Sequence, residues 1–425
     1  MPAPTLTPAP SPPRPLHLRL TPRELLAAWP PHQPLTALCS DAASPHARWS
    51  ILARPASTST YSPATAADAL ALLRSLLEAP SGHNPKPDEP PFQGGRILAL
   101  SYDLGRVLEP AVGPAPHAPT TPLILSHDCP DALIYDHARG QWWSVGSPPL
   151  PDPAQPASTF TLSTPTPDLP ASHYTAAVDR ILDYIRAGDA YQVNLAHRLT
   201  ARFTGSPRSL FLALLRAAAP WYGAYLESPS LTLASASPEL FLSYDPATRT
   251  LTTRPMKGTR PFTHAADLQH SDKDAAELNM ITDLMRNDLG RVSELGSVRV
   301  QTPRALEQHN TLAQTTSTVT STLRAGLTLA DALAATFPGG SITGCPKIRA
   351  MQIIDELEPA PRAFYCGAIG YVSATGHAAF SIAIRTATLR GGTLHYSTGA
   401  GITIGSDPEA EYQETLDKAA ILQRL

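Results

Sequence analysis

The first third of the chain is a series of short apolar runs separated by proline and glycine, and this punctuation limits what it can fold into. The runs are "RWSILARP", "GGRILALSYDLG", "TPLILSHDC", "DALIYD" and "QWWSVG". They have the length of β-strands and follow one another at hairpin-like spacing, so they predict strands from Leu35 to about Phe160. One insert, "TAADALALLRSLLEA", has helical periodicity instead. The pattern therefore predicts a sheet-rich first part with a single inserted helix.

Beyond the linker "PPLPDPAQPASTFTLSTPTPDLP", strands alternate with longer helices. In "SHYTAAVDRILDYIRAGDA", apolar residues recur at helical spacing from Tyr174, and Gly188 provides a stop signal. This mixture predicts an α+β protein whose sheets lie under outer helices. We divide the chain into a flexible, proline-rich arm (1–20), an N-terminal domain (21–165) and a C-terminal domain (170–425).

Charge and cysteine content exclude several classes of function. The formal net charge is -3, only 16% of residues are charged, and no Lys/Arg run occurs, so no nucleic-acid surface is expected. The chain has neither the apolar core of a signal peptide nor a run of 18 apolar residues, so no membrane association is expected. The four cysteines are far apart, which is typical of reduced thiols in a cytoplasmic protein.

Two predicted helices each carry acidic residues on one face. Glu411, Glu414 and Lys418 are spaced i, i+3 and i+7 in "GSDPEAEYQETLDKA", and Asp274 and Glu277 are spaced i, i+3 in "SDKDAAELNMI". Either set alone is most simply a solvated helix face. Two such sets can also surround a hard cation such as Mg²⁺ with carboxylate oxygens, and mutually repelling carboxylates need that ion.

Lys257 stands between two prolines in "TTRPMKGTRP", followed by Gly258 and Thr259. A lysine in so punctuated a segment is either a turn residue facing water or a base or nucleophile held in place. Glycine-rich stretches elsewhere, such as "STGAGITIGSDP", permit close approach of the backbone to a ligand, but none is a dinucleotide fingerprint or a P-loop. A carboxylate-bearing substrate is therefore favoured over ATP or NAD.

Eight strings in the second part together resemble the chorismate-utilising enzymes, which include anthranilate synthase, aminodeoxychorismate synthase, isochorismate synthase and salicylate synthase. They are "GDAYQVNLAHRL", "SPELFL", "RPMKGTRP", "AELNMITDLMRNDLGRV", "GGSITGCPKIRAMQIIDELEP", "YCGAIGYVS", "FSIAIRTATL" and "GAGITIGSDPEAEYQETLDKA". The resemblance implies the fold of anthranilate synthase component I, with two large antiparallel-rich β-sheets packed together and helices on the outside. It also implies a component I N-terminal domain over 21–165 and a chorismate-utilising catalytic domain over 170–425.

Three positions distinguish members of this family. Anthranilate synthases resemble this chain around Lys257 but carry alanine there, whereas aminodeoxychorismate synthases carry lysine. Isochorismate and salicylate synthases place a lysine base where this chain has Gln192, and several members have histidine where it has Gln314. The resemblance therefore implies amination of chorismate to 4-amino-4-deoxychorismate for p-aminobenzoate and folate synthesis. It further implies that Lys257 attacks C2 and that Glu239 is the general acid.

The resemblance also implies the remaining roles. The Mg²⁺ ligands would be Glu277 and Glu414 directly, with Asp274 and Glu411 acting through water. The substrate contacts would be Ser341, Tyr365, Arg385, Gly399, Gly401, Lys418, Gln192 and Thr259. A separate glutamine amidotransferase subunit would supply ammonia, and a separate aminodeoxychorismate lyase would aromatise the product. Two alternatives remain: anthranilate synthase component I, and a catalytically silent scaffold that binds the amidotransferase.

Overall fold

The computed structural model describes residues 12–40, 46–79, 85–86, 88–117, 119, 121–150, 158–309 and 312–425. Its strands are β1 (Arg14–Leu16), β2 (Thr36–Cys39), β3 (Trp49–Arg54), β4 (Ser57–Tyr61), β5 (Gly95–Leu100), β6 (Ile124–Cys129), β7 (Asp131–Asp136), β8 (Gln141–Val145), β9 (Phe160–Leu162), β10 (Thr166–Pro167), β11 (Gln192–Gly205), β12 (Tyr222–Glu227), β13 (Thr232–Ser237), β14 (Leu240–Asp245), β15 (Thr250–Arg254), β16 (Met256–Pro261), β17 (Arg299–His309), β18 (Leu312–Thr322), β19 (Gly344–Cys345), β20 (Ala368–Ser373), β21 (Ala378–Ile382), β22 (Thr386–Arg390) and β23 (Thr393–Ile402). The α-helices are α1 (Pro22–Ala27), α2 (Ala66–Leu77), α3 (Leu104–Leu108), α4 (Ala171–Arg186), α5 (Pro207–Ala218), α6 (Ala265–His270), α7 (Asp272–Gly290), α8 (Leu329–Thr336), α9 (Lys347–Leu357) and α10 (Pro408–Ala419).

These strands form two antiparallel sheets. The first has 13 strands in the order β1-β8-β7-β3-β2-β12-β13-β22-β23-β11-β10, with β19 and β9 also paired to β11. The second has ten strands in the order β16-β18-β15-β14-β21-β20-β5-β6-β4, with β17 also paired to β18. The predicted α+β class with two large antiparallel sheets is therefore confirmed.

Successive side chains along a strand point to opposite faces of the second sheet, and each face packs into a hydrophobic core. On β5, Ile97 and Ala99 pack with residues of the first sheet such as Ile51, so they belong to the core between the sheets. Leu98 and Leu100 point the other way and pack under the outer helices. The sheets therefore bury one face against each other and the opposite face against helices, as the sequence predicts.

The predicted domain boundary between 165 and 170 does not separate two cores. β2, from the N-terminal part, pairs with β12 in the first sheet, and β5 pairs with β20 in the second. Each sheet therefore contains strands from both segments. The two segments therefore share both sheets, because their hydrogen-bonded ladders cross the boundary.

The predicted flexible arm is also corrected in part. Residues 1–11 lie outside the described residues, but β1 pairs with β8, and Leu20 O accepts a hydrogen bond of 2.7 Å from Trp142 Nε1. This stretch of the arm is an edge strand of the first sheet. The predicted linker likewise contributes β9 and β10, which both pair with β11.

The predicted helices form where their capping residues place them. Asp407 accepts a hydrogen bond from Ala410 N and starts α10, with Pro408 as its first residue. Ser271 caps α7 in the same way through Asp274 N. N-terminal caps satisfy backbone donors that have no partner inside the helix, which fixes where each acidic face begins.

A buried ion pair joins α9 to the first sheet. The Arg362 guanidinium donates to both carboxylate oxygens of Glu358, at 2.8 and 2.5 Å, and also to Ile342 O and Asn194 O. Glu358 in turn accepts a hydrogen bond of 2.8 Å from Ala196 N. Both side chains are over nine-tenths buried. The pair therefore holds α9, β11 and the turn that carries Ile342 in one arrangement.

No described helix is long and apolar enough to cross a membrane. None of the four cysteines is in a disulfide bond; Cys39, Cys129 and Cys366 are buried, and Cys345 is half-buried.

Replacing Arg362 with alanine leaves the Glu358 carboxylate buried without its partner. The free energy of unfolding is therefore expected to fall by about 3–5 kcal/mol. The exposed pair of Arg186 and Asp183 on α4 is the matched control, and Arg186→Ala is expected to cost well under about 1 kcal/mol. Urea unfolding measures both values, and equal losses would show that the buried pair does not anchor the fold.

Candidate active site

Lys257 lies on β16, at the end of the second sheet. Its carbonyl accepts a hydrogen bond of 2.6 Å from Thr315 Oγ1 of β18. The register shifts between Lys257 and Thr259, and Gly258 between them has a φ of 71°. A bulge of this kind re-aims the side chain beside it, and glycine reaches positive φ without strain. Lys257 is therefore held on a bulged strand rather than in a turn facing water.

The Lys257 side chain reaches from the second sheet towards the first. A methyl group placed on Gly401 of β23 would lie 3.2 Å from Lys257 Nζ and 2.8 Å from Gln192 Nε2. The amine and the amide therefore converge above the Gly401 backbone. Burial lowers the pKa of Lys257 and the Lys418 ammonium lowers it further, while nearby carboxylates oppose the shift. A lowered pKa increases the neutral, nucleophilic fraction of a lysine.

Gln192 contributes a buried amide with no partner. Its backbone is held opposite Cys345 at the start of β11, and its side chain is fully buried. Among the described residues, neither Nε2 nor Oε1 has a hydrogen-bond partner. Buried polar groups are almost always satisfied, so this amide marks a place where a bound molecule completes the hydrogen bonding.

Glu239 lies between β13 and β14 and is buried. Ser341 Oγ donates a hydrogen bond of 2.6 Å to its Oε1. Burial raises the pKa of Glu239 to about 7, although Ser341 and Lys257 act in the opposite direction. A carboxyl group with this pKa is partly protonated at neutral pH, so it can donate a proton and later take one back.

Arg385 is placed differently from the sequence-based expectation. We expected it inside an apolar strand, but it lies between β21 and β22 with a φ of 51°. Its carbonyl accepts a hydrogen bond of 3.0 Å from Ala236 N. Within the described residues its guanidinium makes no ion pair, and burial lowers its pKa, with Tyr396 opposing that shift. A half-buried guanidinium without a counter-ion suits a substrate carboxylate.

Two buried tyrosines also bear on the site, and Tyr396 is within electrostatic reach of Arg385. Burial raises the pKa of Tyr365 well above its usual value, so its hydroxyl is neutral and can donate a hydrogen bond. Tyr396 is also buried, and its hydroxyl has no partner among the described residues. Tyr365 was predicted from the sequence, whereas Tyr396 was missed because a tyrosine in a strand is normally a packing residue.

Three of the four predicted metal ligands have protein partners: Asp274, Glu411 and Glu414. Asp274 Oδ2 pairs with Arg260 Nη2 at 3.3 Å, and Glu411 Oε1 accepts a hydrogen bond of 2.6 Å from Ser406 Oγ. Burial raises the pKa of Glu277, which the Lys257 and Lys273 charges counteract. Lys273 was missed by sequence reasoning, although its i, i+4 spacing to Glu277 was an available signal.

Lys418 and Gly399, both predicted to contact substrate, contact each other. Lys418 Nζ donates to Gly399 O at 2.8 Å and pairs with Glu414 Oε1 at 2.7 Å. Burial alone would raise the pKa of Glu414, but Lys418 outweighs it and the pKa is lowered. A methyl group on Gly399 would lie 2.6 Å from Leu195 O, so strand packing alone explains this glycine.

Thr259 lies at the exposed end of the site. Its Oγ1 accepts a hydrogen bond of 3.0 Å from Gln314 Nε2, while Gln314 Oε1 has no partner within the described part of the chain. The open acceptor belongs to Gln314 rather than to Thr259. Gln314 is therefore the stronger candidate for a substrate contact at this edge.

The donor set fits Mg²⁺ through two carboxylates rather than four. In the described residues, no three Asp, Glu, His or Cys side chains are close enough to hold one metal ion. Glu277 and Glu414 do interact, since the Glu414 charge raises the pKa of Glu277. Magnesium is commonly bound by one or two carboxylates and keeps several waters, so this pair is compatible with it.

Comparisons with known proteins identify the family to which the chain is related. A family described as chorismate binding enzymes matches residues 36–424. Aminodeoxychorismate synthase component 1 of Klebsiella aerogenes is 40% identical over 380 residues, 83% of this chain and 82% of the relative. Anthranilate synthase component 1 of Thermus thermophilus is 37% identical over 379 residues, 82% and 81% of the two chains. The crystal structure of anthranilate synthase component I from Streptococcus pneumoniae superposes with a TM-score of 0.77 at 30% identity, covering 89% of this chain and 92% of that one.

Glu239 generates a prediction about stability. Its pKa is about 7 in the folded chain and 4.5 ordinarily, so its contribution to stability is present below pH 4.5 and is lost as the pH rises to 7. Glu239→Gln keeps the shape without the charge. At pH 8 the variant is expected to be more stable than the wild type by up to about 3 kcal/mol, and at pH 4.5 the difference should vanish.

Urea unfolding at the two pH values measures this change. Glu78 is exposed at the end of α2, so Glu78→Gln is the control and should differ from the wild type equally at both. A Glu239→Gln difference that does not depend on pH would contradict the raised pKa.

Proposed function

This chain belongs to the family of chorismate-binding enzymes, and we propose that it is the chorismate-aminating component of an aminodeoxychorismate synthase. It converts chorismate and ammonia to 4-amino-4-deoxychorismate, the precursor of p-aminobenzoate in folate synthesis. Relatives with this name align with most of the chain at 35–40% identity. The proposal separates this chain from anthranilate synthases, to which it is also similar.

The observation that carries the proposal is the position of the Lys257 amine. It lies above Gly401, next to the unpartnered Gln192 amide and within the electrostatic influence of Glu239. A nucleophile, an open hydrogen-bonding amide and a proton donor thus meet in one place. Amination at C4 with retention needs such a set, because two successive displacements are required.

In the first displacement, neutral Lys257 adds to C2 of chorismate. The ring double bonds shift, and the C4–O bond breaks. Glu239, held by Ser341, gives its proton to the departing hydroxyl, which leaves as water. The substrate is then joined to Lys257 through a C2–N bond, and Glu239 is ionised.

In the second displacement, ammonia adds to C4. The double bonds shift back, and the C2–N bond breaks, so that Lys257 leaves with the electron pair. The proton lost by the attacking nitrogen returns to the Glu239 carboxylate. Both catalytic groups recover their initial states, and the Gln192 amide is placed to orient the incoming ammonia.

Chorismate has two carboxylates, and the site offers two means of holding them. Arg385 and Tyr365 suit the enolpyruvyl carboxylate, because one is a cation without a partner and the other a neutral donor. Mg²⁺ held by Glu277 and Glu414 would bind the ring carboxylate and draw charge from the ring. Asp274 and Glu411 would act on the ion through water.

The source of ammonia is proposed to be a separate glutamine amidotransferase subunit. The "component 1" in the relatives' names supports a second component. A separate lyase would then aromatise the product. We propose the cytoplasm as the compartment, for which cysteines outside disulfide bonds are typical.

The product identifies the function. With chorismate, Mg²⁺, an ammonium salt and excess aminodeoxychorismate lyase, the chain alone is expected to yield p-aminobenzoate, and glutamine should not replace ammonium. Lys257→Ala should abolish this product, because no other amine lies at C2. Chromatography and mass spectrometry identify the aromatic compound. Anthranilate from the wild type would favour the rival synthase, and unconsumed chorismate the silent scaffold.

The glycine beneath the lysine gives a second test. Gly401→Ala inserts a methyl group 3.2 Å from Lys257 Nζ and displaces flexible side chains rather than backbone. The fold should persist, but the rate of p-aminobenzoate formation should fall by about 100-fold, because misplacing a reacting group by about 1 Å has that effect.

Gly405→Ala is the matched control, since its methyl group would meet nothing within 4 Å. It should keep the wild-type rate and thermal midpoint. An active Gly401→Ala variant would place the reacting amine elsewhere.

A further inference from the structure

A second cavity, of about 80 Å³, lies between α3 and the end of α9. Its apolar wall includes Val107, Leu123 and Ile354, and its polar wall includes Tyr102 and Asp355. The mechanism above uses none of these residues. The volume suits a very small ligand, one or a few water molecules in size.

The polar wall has two atoms without a partner. Asp355 Oδ1 pairs with Arg106, but its Oδ2 is buried and has no partner among the described residues. The Tyr102 side chain is 3% exposed, and its hydroxyl is likewise unpartnered in the described part of the chain. A carboxylate oxygen, which only accepts, and a hydroxyl, which accepts and donates, are thus shielded from bulk water, which normally indicates a bound water or ligand.

Both guanidinium groups at the cavity are already committed. Arg362 donates to Glu358, Asn194 O and Ile342 O. Arg106 donates to Gly113 O and Pro114 O besides its pair with Asp355. The described wall is thus left with the Tyr102 hydroxyl and the His117 ring as further donors, and a ligand that brings its own donors suits it.

The charge of the wall favours a cation. Three carboxylates, Asp103, Asp355 and Glu358, line the cavity against two guanidinium groups, Arg106 and Arg362. A monovalent cation with several N–H donors would balance this charge and satisfy both unpartnered atoms.

We infer that this cavity is a binding site for the ammonium ion, separate from the reaction centre. Four N–H donors, a single positive charge and a small volume match the unpartnered Tyr102 hydroxyl, the free oxygen of Asp355 and the excess carboxylate. The choice of ammonium over other small cations rests on the proposed function, in which the chain consumes ammonia.

The wall between the cavity and the reaction centre is the Glu358–Arg362 pair. On its far side, Arg362 contacts Asn194 O, two residues from Gln192, and Ile342 O, next to Ser341. The pair therefore links the cavity wall to backbone next to two residues of the candidate active site. Burial raises the pKa of Asp103 to about 6, and a bound cation would favour its ionised form.

Steady-state kinetics of the chain alone, with ammonium chloride varied at constant ionic strength and saturating chorismate, test the site. Tyr102→Phe and Asp355→Asn are expected to raise the KM for ammonium about tenfold, the effect of losing one hydrogen bond to a charged ligand. The KM for chorismate and kcat should stay within about twofold of the wild type. Because the Tyr102 hydroxyl has no partner among the residues that the structure describes, its removal should not weaken the fold.

Asp168→Asn is the control, because it removes a carboxylate paired with Arg198 on the first sheet, away from the cavity. It should leave the KM for ammonium unchanged. An unchanged KM in both cavity variants would overturn the site.

A binding measurement separates this inference from the proposed function. Ammonium chloride should raise the thermal midpoint of the wild type more than equal concentrations of sodium or potassium chloride, and Tyr102→Phe should abolish the difference. If this holds while no aminated product forms, the cavity stands and the proposed function fails. Equal stabilisation by the three salts would overturn the assignment to ammonium.

Discussion

The buried pair of Glu358 and Arg362 holds the reaction centre together. Its two side chains contact α9, β11 and the turn before β19, and these elements carry or adjoin Gln192 and Ser341. Removing two charges from water is unfavourable, and only dense hydrogen bonding offsets it. Here the guanidinium donates to four oxygens, and the carboxylate accepts a backbone hydrogen bond as well. The pair therefore contributes more to fixing the relative positions of these elements than to the net free energy of folding.

Local chemistry made several elements predictable. Capping residues placed the start of α10, and regular apolar spacing predicted α4. Pairing between distant strands was not predictable in this way. The apolar pattern of β5 does not indicate that it pairs with β20, and the pattern of β20 does not indicate it either. For that reason the sequence did not indicate that the two segments share both sheets. The strand within the predicted arm was missed because its proline-rich surroundings suggested a flexible chain.

Those parts of the site that depend on single residues in recognisable motifs could be predicted from the sequence. Lys257, Glu239 and Gln192 were identified from motifs, and the structure brings all three together. The left-handed backbone of Arg385 could not be predicted, because the apolar residues around it suggested a regular strand. The pairing of Asp274 with Arg260 could not be predicted either, because it is a contact between residues 14 positions apart. The prediction of four metal ligands gave residue types and spacing but not the protein partners that three of them have.

The shared sheets also determine how this chain is made. β23 lies inside the first sheet, between β22 and β11, although it is among the last segments to be synthesised. A ribosome therefore releases strands such as β5, β11 and β14 long before one of their neighbours is made, and each has an unpaired edge until then. Contacts between residues far apart in sequence form slowly, and unpaired edges favour association between chains. Slow translation would not help this protein to fold in stages, and its newly made chains are expected to depend on chaperones until the C-terminus emerges.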